Sequence, residues 1–158
     1  MRLLLLLGLL CTTTGMGFAG AASSWQSFGF DGSRFVKGAE PGAILIRDGY
    51  LPVPAAAKAP REDPLPADTG ALAVFCFQQS SGGKLKPQAG FAPMPGVAVT
   101  LSGKSLTLAA RSDASGYLIL ALPPGSYEMQ LSGFSKKVTV EGRKTALAAL
   151  RGGKRMVD

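Results

Sequence analysis

The stretch Ser112–Leu131, "SDASGYLILALPPGSYEMQL", sets an apolar run between two groups of turn residues. Asp113 is placed to accept hydrogen bonds from backbone amides two residues ahead, forming an Asx-turn. Gly116 supplies the positive φ that closes such a turn and releases a strand. Tyr117–Leu122 is apolar at both parities, the pattern of a strand covered on both faces. Pro123-Pro124-Gly125 then reverses the chain: proline presets φ in the turn, and Gly125 is expected at a positive φ. In the returning strand Tyr127, Met129 and Leu131 share one face, while Glu128, Gln130 and Ser132 share the other. The Tyr127 ring therefore points inward. Every special residue here has a backbone reason, so the stretch reads as two strands and a corner rather than as a chemical site.

From Gly70 onward the same texture repeats, and strands are expected at 71–78, 97–101, 106–111, 117–122, 127–131, 134–140 and 145–150. No segment carries a sustained helical period with caps. About seven short strands with frequent turn signals predict an all-β protein, a small antiparallel sandwich. The order Asp113-x-x-Gly116-Tyr117, Leu122-Pro123-Pro124-Gly125-x-Tyr127, "KKVTVEG" and "KTALAAL" resembles the carboxypeptidase regulatory-like domain. That domain belongs with the transthyretin-like (prealbumin-like) and Cna protein B-type sandwiches. Pro95-Gly96-Val97-x-Val99-x-Leu101 is similar to the family's preceding strand. The resemblance spans about residues 70–150 and implies a Greek-key sandwich used as an accessory module, with little said about function. Two departures matter. The self-crosslinking Cna B-type domains join an early-strand Lys to a late-strand Asn or Asp. Here "ALAVFCFQQ" has no Lys and "KTALAAL" has no acid or Asn, so no isopeptide is expected. The hydrolases of the transthyretin-like group rely on His, and this chain has none.

The N-terminal part reads as a leader and an extension. Arg2 is a minimal positive region, Leu3–Leu10 a short apolar one, and Ala19-Gly20-Ala21 places small side chains at a cleavage site before Ala22 or one residue later. A membrane span needs about 20 apolar residues, and this run breaks at Cys11-Thr12-Thr13-Thr14. Lipidation of Cys11 is disfavoured because Leu9 and Leu10, not small residues, precede it. The organisation is thus a signal peptide at 1–21, an aromatic-rich extension at 22–51 with one short strand, a Pro-rich linker at 52–69, the sandwich at 70–151 and a basic tail at 152–158. Trp25, Phe28, Phe30 and Phe35, with Ile44 and Ile46 in "GAILIRDGYL", suit either packing on the sandwich or strand addition to a partner. The five prolines between Pro52 and Pro66 remove ladder donors and predict an extended, semi-stiff segment. Residues 80–95, rich in Gly, Pro and Ser, are expected as a loop.

The lack of His removes the usual general base near neutral pH and the commonest metal ligand. No Ser has a His to activate it, no paired carboxylates stand out, and Asp113 alone is far short of a Ca²⁺ site. "GMGFAG" (Gly15–Gly20) matches the dinucleotide fingerprint in form but lies in the leader, without the strand and helix that give it function. Export leaves Cys76 as the sole mature cysteine. Alternation sets it beside Leu72 and Val74 as a buried apolar residue. No catalytic residue, cofactor or metal is expected.

The formal net charge is +7. Residues 84–158 carry eleven Lys and Arg against four acids, so the excess lies in the sandwich and tail. Lys136, Lys137, Arg143 and Lys144 are the candidate contacts to an anionic polymer or an acidic partner, weighed against simple edge protection. No aromatic residues interleave with them, which argues against nucleic acid. The composition, rich in Ala, Gly, Leu and Arg, suits a bacterial source. These readings converge on an exported, non-catalytic binding or structural module of the cell envelope, periplasmic or extracellular. It would meet a protein partner or itself, and a membrane only transiently through its leader. The rival is a domain for carbohydrate or an anionic envelope polymer, using the basic face and the 80–95 loop.

Overall fold

The computed structural model describes residues 24–38, 42–55, 61–81 and 90–156. The leader, Cys11 and the "GMGFAG" motif lie outside them. The described residues form twelve strands and no helix. In chain order these are β1 (Gln26–Phe30), β2 (Phe35–Lys37), β3 (Ile44–Ile46), β4 (Val53–Pro54), β5 (Gly70–Ser81) and β6 (Gly90–Pro93). Then follow β7 (Ala98–Gly103), β8 (Thr107–Arg111), β9 (Tyr117–Leu122), β10 (Gly125–Leu131), β11 (Phe134–Val140) and β12 (Thr145–Met156).

Three sheets result. The N-terminal sheet runs β2-β1-β3-β4, and the far sheet runs β11-β10-β7-β8. Between them β5 pairs with β12 on one edge, and on the other with β9 over Gly70–Phe75 and β6 over Phe77–Ser80. All pairs are antiparallel except β5–β12, which is parallel. β5 is the central strand, and its period of two explains both cores. Leu72, Val74 and Cys76 face the far sheet and meet Val99, Leu101 and Met129. Ala73, Phe75 and Phe77 face the N-terminal sheet and meet Phe30 and Ile44. β9 divides likewise, with Leu118 and Leu122 in the first core and Tyr117 in the second. An apolar run at both parities is thus answered by a layer on each face.

Each of the seven expected sandwich strands has a counterpart, from β5 and β7 to β12, and five more appear. Gly90–Pro93 is strand, so only part of the expected 80–95 loop can be loop, because β5 continues past Gln78 and offers β6 an open edge. The supposed tail is strand through Met156, carried along β5 by parallel pairing that outlasts its Gly-rich, basic composition, with one bulge between Arg151 and Gly153. The extension holds three strands rather than one. The Pro-rich segment is not a plain linker: β4 pairs with β3 as an edge strand, and Leu51 N–H donates to Asp63 O at 2.9 Å. Leu65 is buried there. Proline is tolerated at such an edge because no partner needs its missing donor.

The opening stretch folds largely as its residues dictate. Asp113 Oδ1 accepts from Ser115 N at 2.8 Å and from Tyr117 N at 2.9 Å, and Gly116 has φ +80°. Gly125 corrects the expectation: at φ 159° it is nearly extended and opens β10, so the reversal falls on the two prolines. The Tyr127 hydroxyl donates to Pro123 O at 2.7 Å and locks that corner, with its ring buried.

Candidate functional site

The extension packs on its own domain. Phe30 and Ile44 are buried in the second core, and Phe28, Phe35 and Ile46 pack against it. Trp25 lies tilted on Tyr50 with ring centroids 6.1 Å apart. The Tyr117 hydroxyl donates to Gly42 O at 2.7 Å, pinning the extension to β9. Burial, and after it the charge of Asp113, raises the Tyr117 phenol well above its ordinary range. The Phe and Ile side chains that suited strand addition are therefore used in packing.

The four basic candidates do not share one face. Lys136 has the same parity on β11 as the inward Val138 and Val140, and its Nζ donates to Ala149 O at 3.4 Å across to β12. Lys137 projects from the opposite side of the strand. Arg143 sits in the β11–β12 turn at φ 59°, and its carbonyl accepts Gly49 N–H at 2.8 Å. Lys144 pairs with Glu141 at 2.6 Å, an exposed contact in which each partner favours the other's charged form. Solvent screening leaves such a pair little weight in stability. The turn thus holds the extension.

Cys76 is buried between the two halves of the β5 edge. Its N–H donates to Gly116 O at 2.8 Å and its carbonyl accepts Met94 N–H at 2.9 Å. Burial, with a smaller contribution from the Asp113 charge, pushes the thiol up to about 11 from an ordinary 9.0. Thiolate is the reactive form. In a chain starting at Ala22, Cys76 should therefore resist a thiol reagent at pH 8 and label fully only in denaturant; labelling at equal rates in both states would contradict this. The unfolded thiol ionises near 9.0 and the folded one near 11, so this group's contribution to stability is complete below pH 9 and fades as pH rises towards 11.

Sequence reasoning missed a cavity of about 430 Å³ with a mixed polar and apolar lining between β1, β3 and the start of β12. Its polar groups are Ser24, Gln26, Arg47, Asp48 and Thr145, and its apolar walls are Phe28, Ile46 and Leu147. Arg47 Nη1 donates to Glu62 Oε1 at 3.0 Å, and its guanidinium carbon lies 4.3 Å from the Tyr50 ring centroid. Arg47 Nε and Thr145 Oγ1 are buried without a hydrogen-bond partner. The sequence hint was Thr145 itself, a hydroxyl heading the apolar run Ala146–Leu150. A second cavity of about 420 Å³, at Phe75, Phe91 and Ser115, is more apolar. Asp31 on its rim is spent in the β1–β2 turn, accepting from Ser33 N and Arg34 N at 2.8 Å each. Ser112, the one buried polar residue among those described, donates to Met94 O at 2.7 Å and accepts from Val97 N at 3.1 Å, a structural role. No group of three or more His, Cys, Asp or Glu among the described residues is placed to hold a metal ion.

No protein-family model matches this sequence, and no curated protein matches it. Among solved structures, the Bacillus anthracis TIE protein is similar with a TM-score of 0.43 and 19% identity, over 54% of this chain. The chain spans 16% of that protein.

Proposed function

We propose that this chain is an exported, non-catalytic binding or structural module of the bacterial cell envelope or extracellular space, working through protein–protein contacts. In this reading residues 70–151 are a carboxypeptidase regulatory-like, Greek-key sandwich, and residues 22–51 add a third layer to it. The observation that carries the contact is the asymmetry of the far sheet's edges. β11 closes one edge with Lys136 and Lys137, whose charges discourage stray pairing. β8 closes the other, with β7 as its one neighbour among the described strands, and carries small side chains, Ala109 and Ala110, with a single charge, Arg111, at its end. Such an edge accepts an incoming strand through main-chain hydrogen bonds. The dispersal of the four basic residues favours this contact over an anionic polymer.

A photo-cross-linking residue at Ala109 is expected to trap a specific protein, a second copy included, in cells exporting the chain. The same residue at Lys137 should trap far less. The double substitution Thr107→Lys, Ala109→Lys should abolish the Ala109 product while leaving the melting temperature within a few degrees, since both side chains are exposed. Equal trapping at both edges, or none at Ala109, would sink the reading.

A further inference from the structure

We infer that the cavity between the N-terminal sheet and β12 is a binding site for a neutral saccharide of one or two rings. It lies between the N-terminal and central sheets, away from the β8 edge, so it stands independently of the proposed protein contact. Its volume of about 430 Å³ is in the range of small-ligand sites.

Among the described residues, two buried side-chain polar atoms, Arg47 Nε and Thr145 Oγ1, lack partners, and both belong to residues that line this cavity. Buried polar atoms are rarely left unmade, because each costs about 1–3 kcal/mol. Arg47 Nε–H is a donor only, the Thr145 hydroxyl gives or takes, and the Asp48 carboxylate only accepts. A set that mixes donor, acceptor and hydroxyl is well served by alcohol groups, each of which gives and takes. Ser24 and Gln26 extend the same mixed character. Opposite them, Phe28, Ile46 and Leu147 offer an apolar wall suited to the C–H face of a sugar ring.

Charge excludes the obvious competitor. The Arg47 cation is already paired with Glu62 at 3.0 Å, and Asp48 adds a carboxylate to the lining. An anionic ligand would meet the Asp48 carboxylate and a guanidinium already engaged by Glu62. A neutral polyol meets no such penalty.

The test is saturation-transfer NMR on the purified protein with methyl glucoside, N-acetylglucosamine, maltose and cellobiose, with glucuronate and inorganic phosphate as anionic probes. At least one neutral sugar is expected to receive transfer. Thr145→Val keeps the side-chain shape and removes the hydroxyl. It should weaken that sugar's binding about five- to ten-fold, the loss of one hydrogen bond. It should also leave the melting temperature unchanged or raised, because an unpartnered buried hydroxyl becomes a methyl. Asp48→Ala, at an exposed position, should weaken binding comparably without touching the core. The proposal is overturned by no transfer to any neutral sugar, by unchanged affinity in both variants, or by preferential binding of glucuronate or phosphate.

Discussion

Replacing Phe30 by Ala should cost about 3–5 kcal/mol of folding stability, a large share of the roughly 5–15 kcal/mol a domain possesses. The Phe30 ring stands at centroid distances of 5.5 Å from Phe35, 5.5 Å from Phe75, 4.8 Å from Phe77 and 5.2 Å from Phe91. It is therefore the hub of the second core, and its removal takes contacts from β2, β5 and β6 at once. The neighbours belong to three different strands and cannot collapse together into the space, so a cavity term adds to the lost transfer energy. Trp25→Ala is the control. Trp25 is larger but half-buried, and its one ring partner is Tyr50, so it should cost no more than about 1.5 kcal/mol. Guanidinium unfolding of both variants decides the matter. If Phe30→Ala costs less than Trp25→Ala, the N-terminal sheet rests on the sandwich without stabilising it. Its aromatics would then be free for a partner.

The sandwich was legible because its strands obey a period of two with turn residues between them. β10 is the plainest case, with Tyr127, Met129 and Leu131 buried as alternation requires. The third layer was half-legible. Tyr117–Leu122 announced a strand covered on both faces, and "ALAVFCF" repeats that message on β5, yet neither names what does the covering. β1 and β2 were hidden because Asp31 to Arg34 carry the hairpin turn with ordinary-looking surface residues. Their hydrogen bonds to Asp31 Oδ1 are visible only in three dimensions. β6 and the end of β12 were missed for another reason. Gly90–Pro93 and Arg151–Met156 have no strand composition of their own, and they are extended because a long β5 offers each an edge to pair with. The basic residues were the least readable. Linear neighbours on a strand such as Lys136 and Lys137 point to opposite faces, and the cavity gathers side chains as distant in sequence as Gln26 and Thr145.

Gly116→Ala should be strongly destabilising, and Gly96→Ala only mildly so, although both glycines have a left-handed backbone. Gly96, at φ +70°, has nothing within 4 Å of an added Cβ, so alanine there meets conformational strain alone, about 1–2 kcal/mol. Gly116, at φ +80°, would place its Cβ 2.9 Å from Pro93 Cβ, 3.0 Å from Cys76 O and 3.2 Å from Met94 N. Crowding of this kind adds about 1–3 kcal/mol to the strain. The site explains why relief is hard to find. Cys76 is the residue at which β5 passes from pairing with β9 to pairing with β6. Its N–H is held by Gly116 O at 2.8 Å and its carbonyl by Met94 N at 2.9 Å, so a methyl at 116 presses on the seam joining both strands to β5. Moving β6 away would break the Met94 bond, and moving β9 would disturb the Asp113 turn behind it. Chemical denaturation of the two variants side by side gives the difference directly. A gap of about 1–3 kcal/mol identifies Gly116 as the point where the strand order of the central sheet is fixed. Equal losses would mean that β6 shifts freely, and that the seam is held instead by Ser112, which bonds Met94 O and Val97 N from the other side.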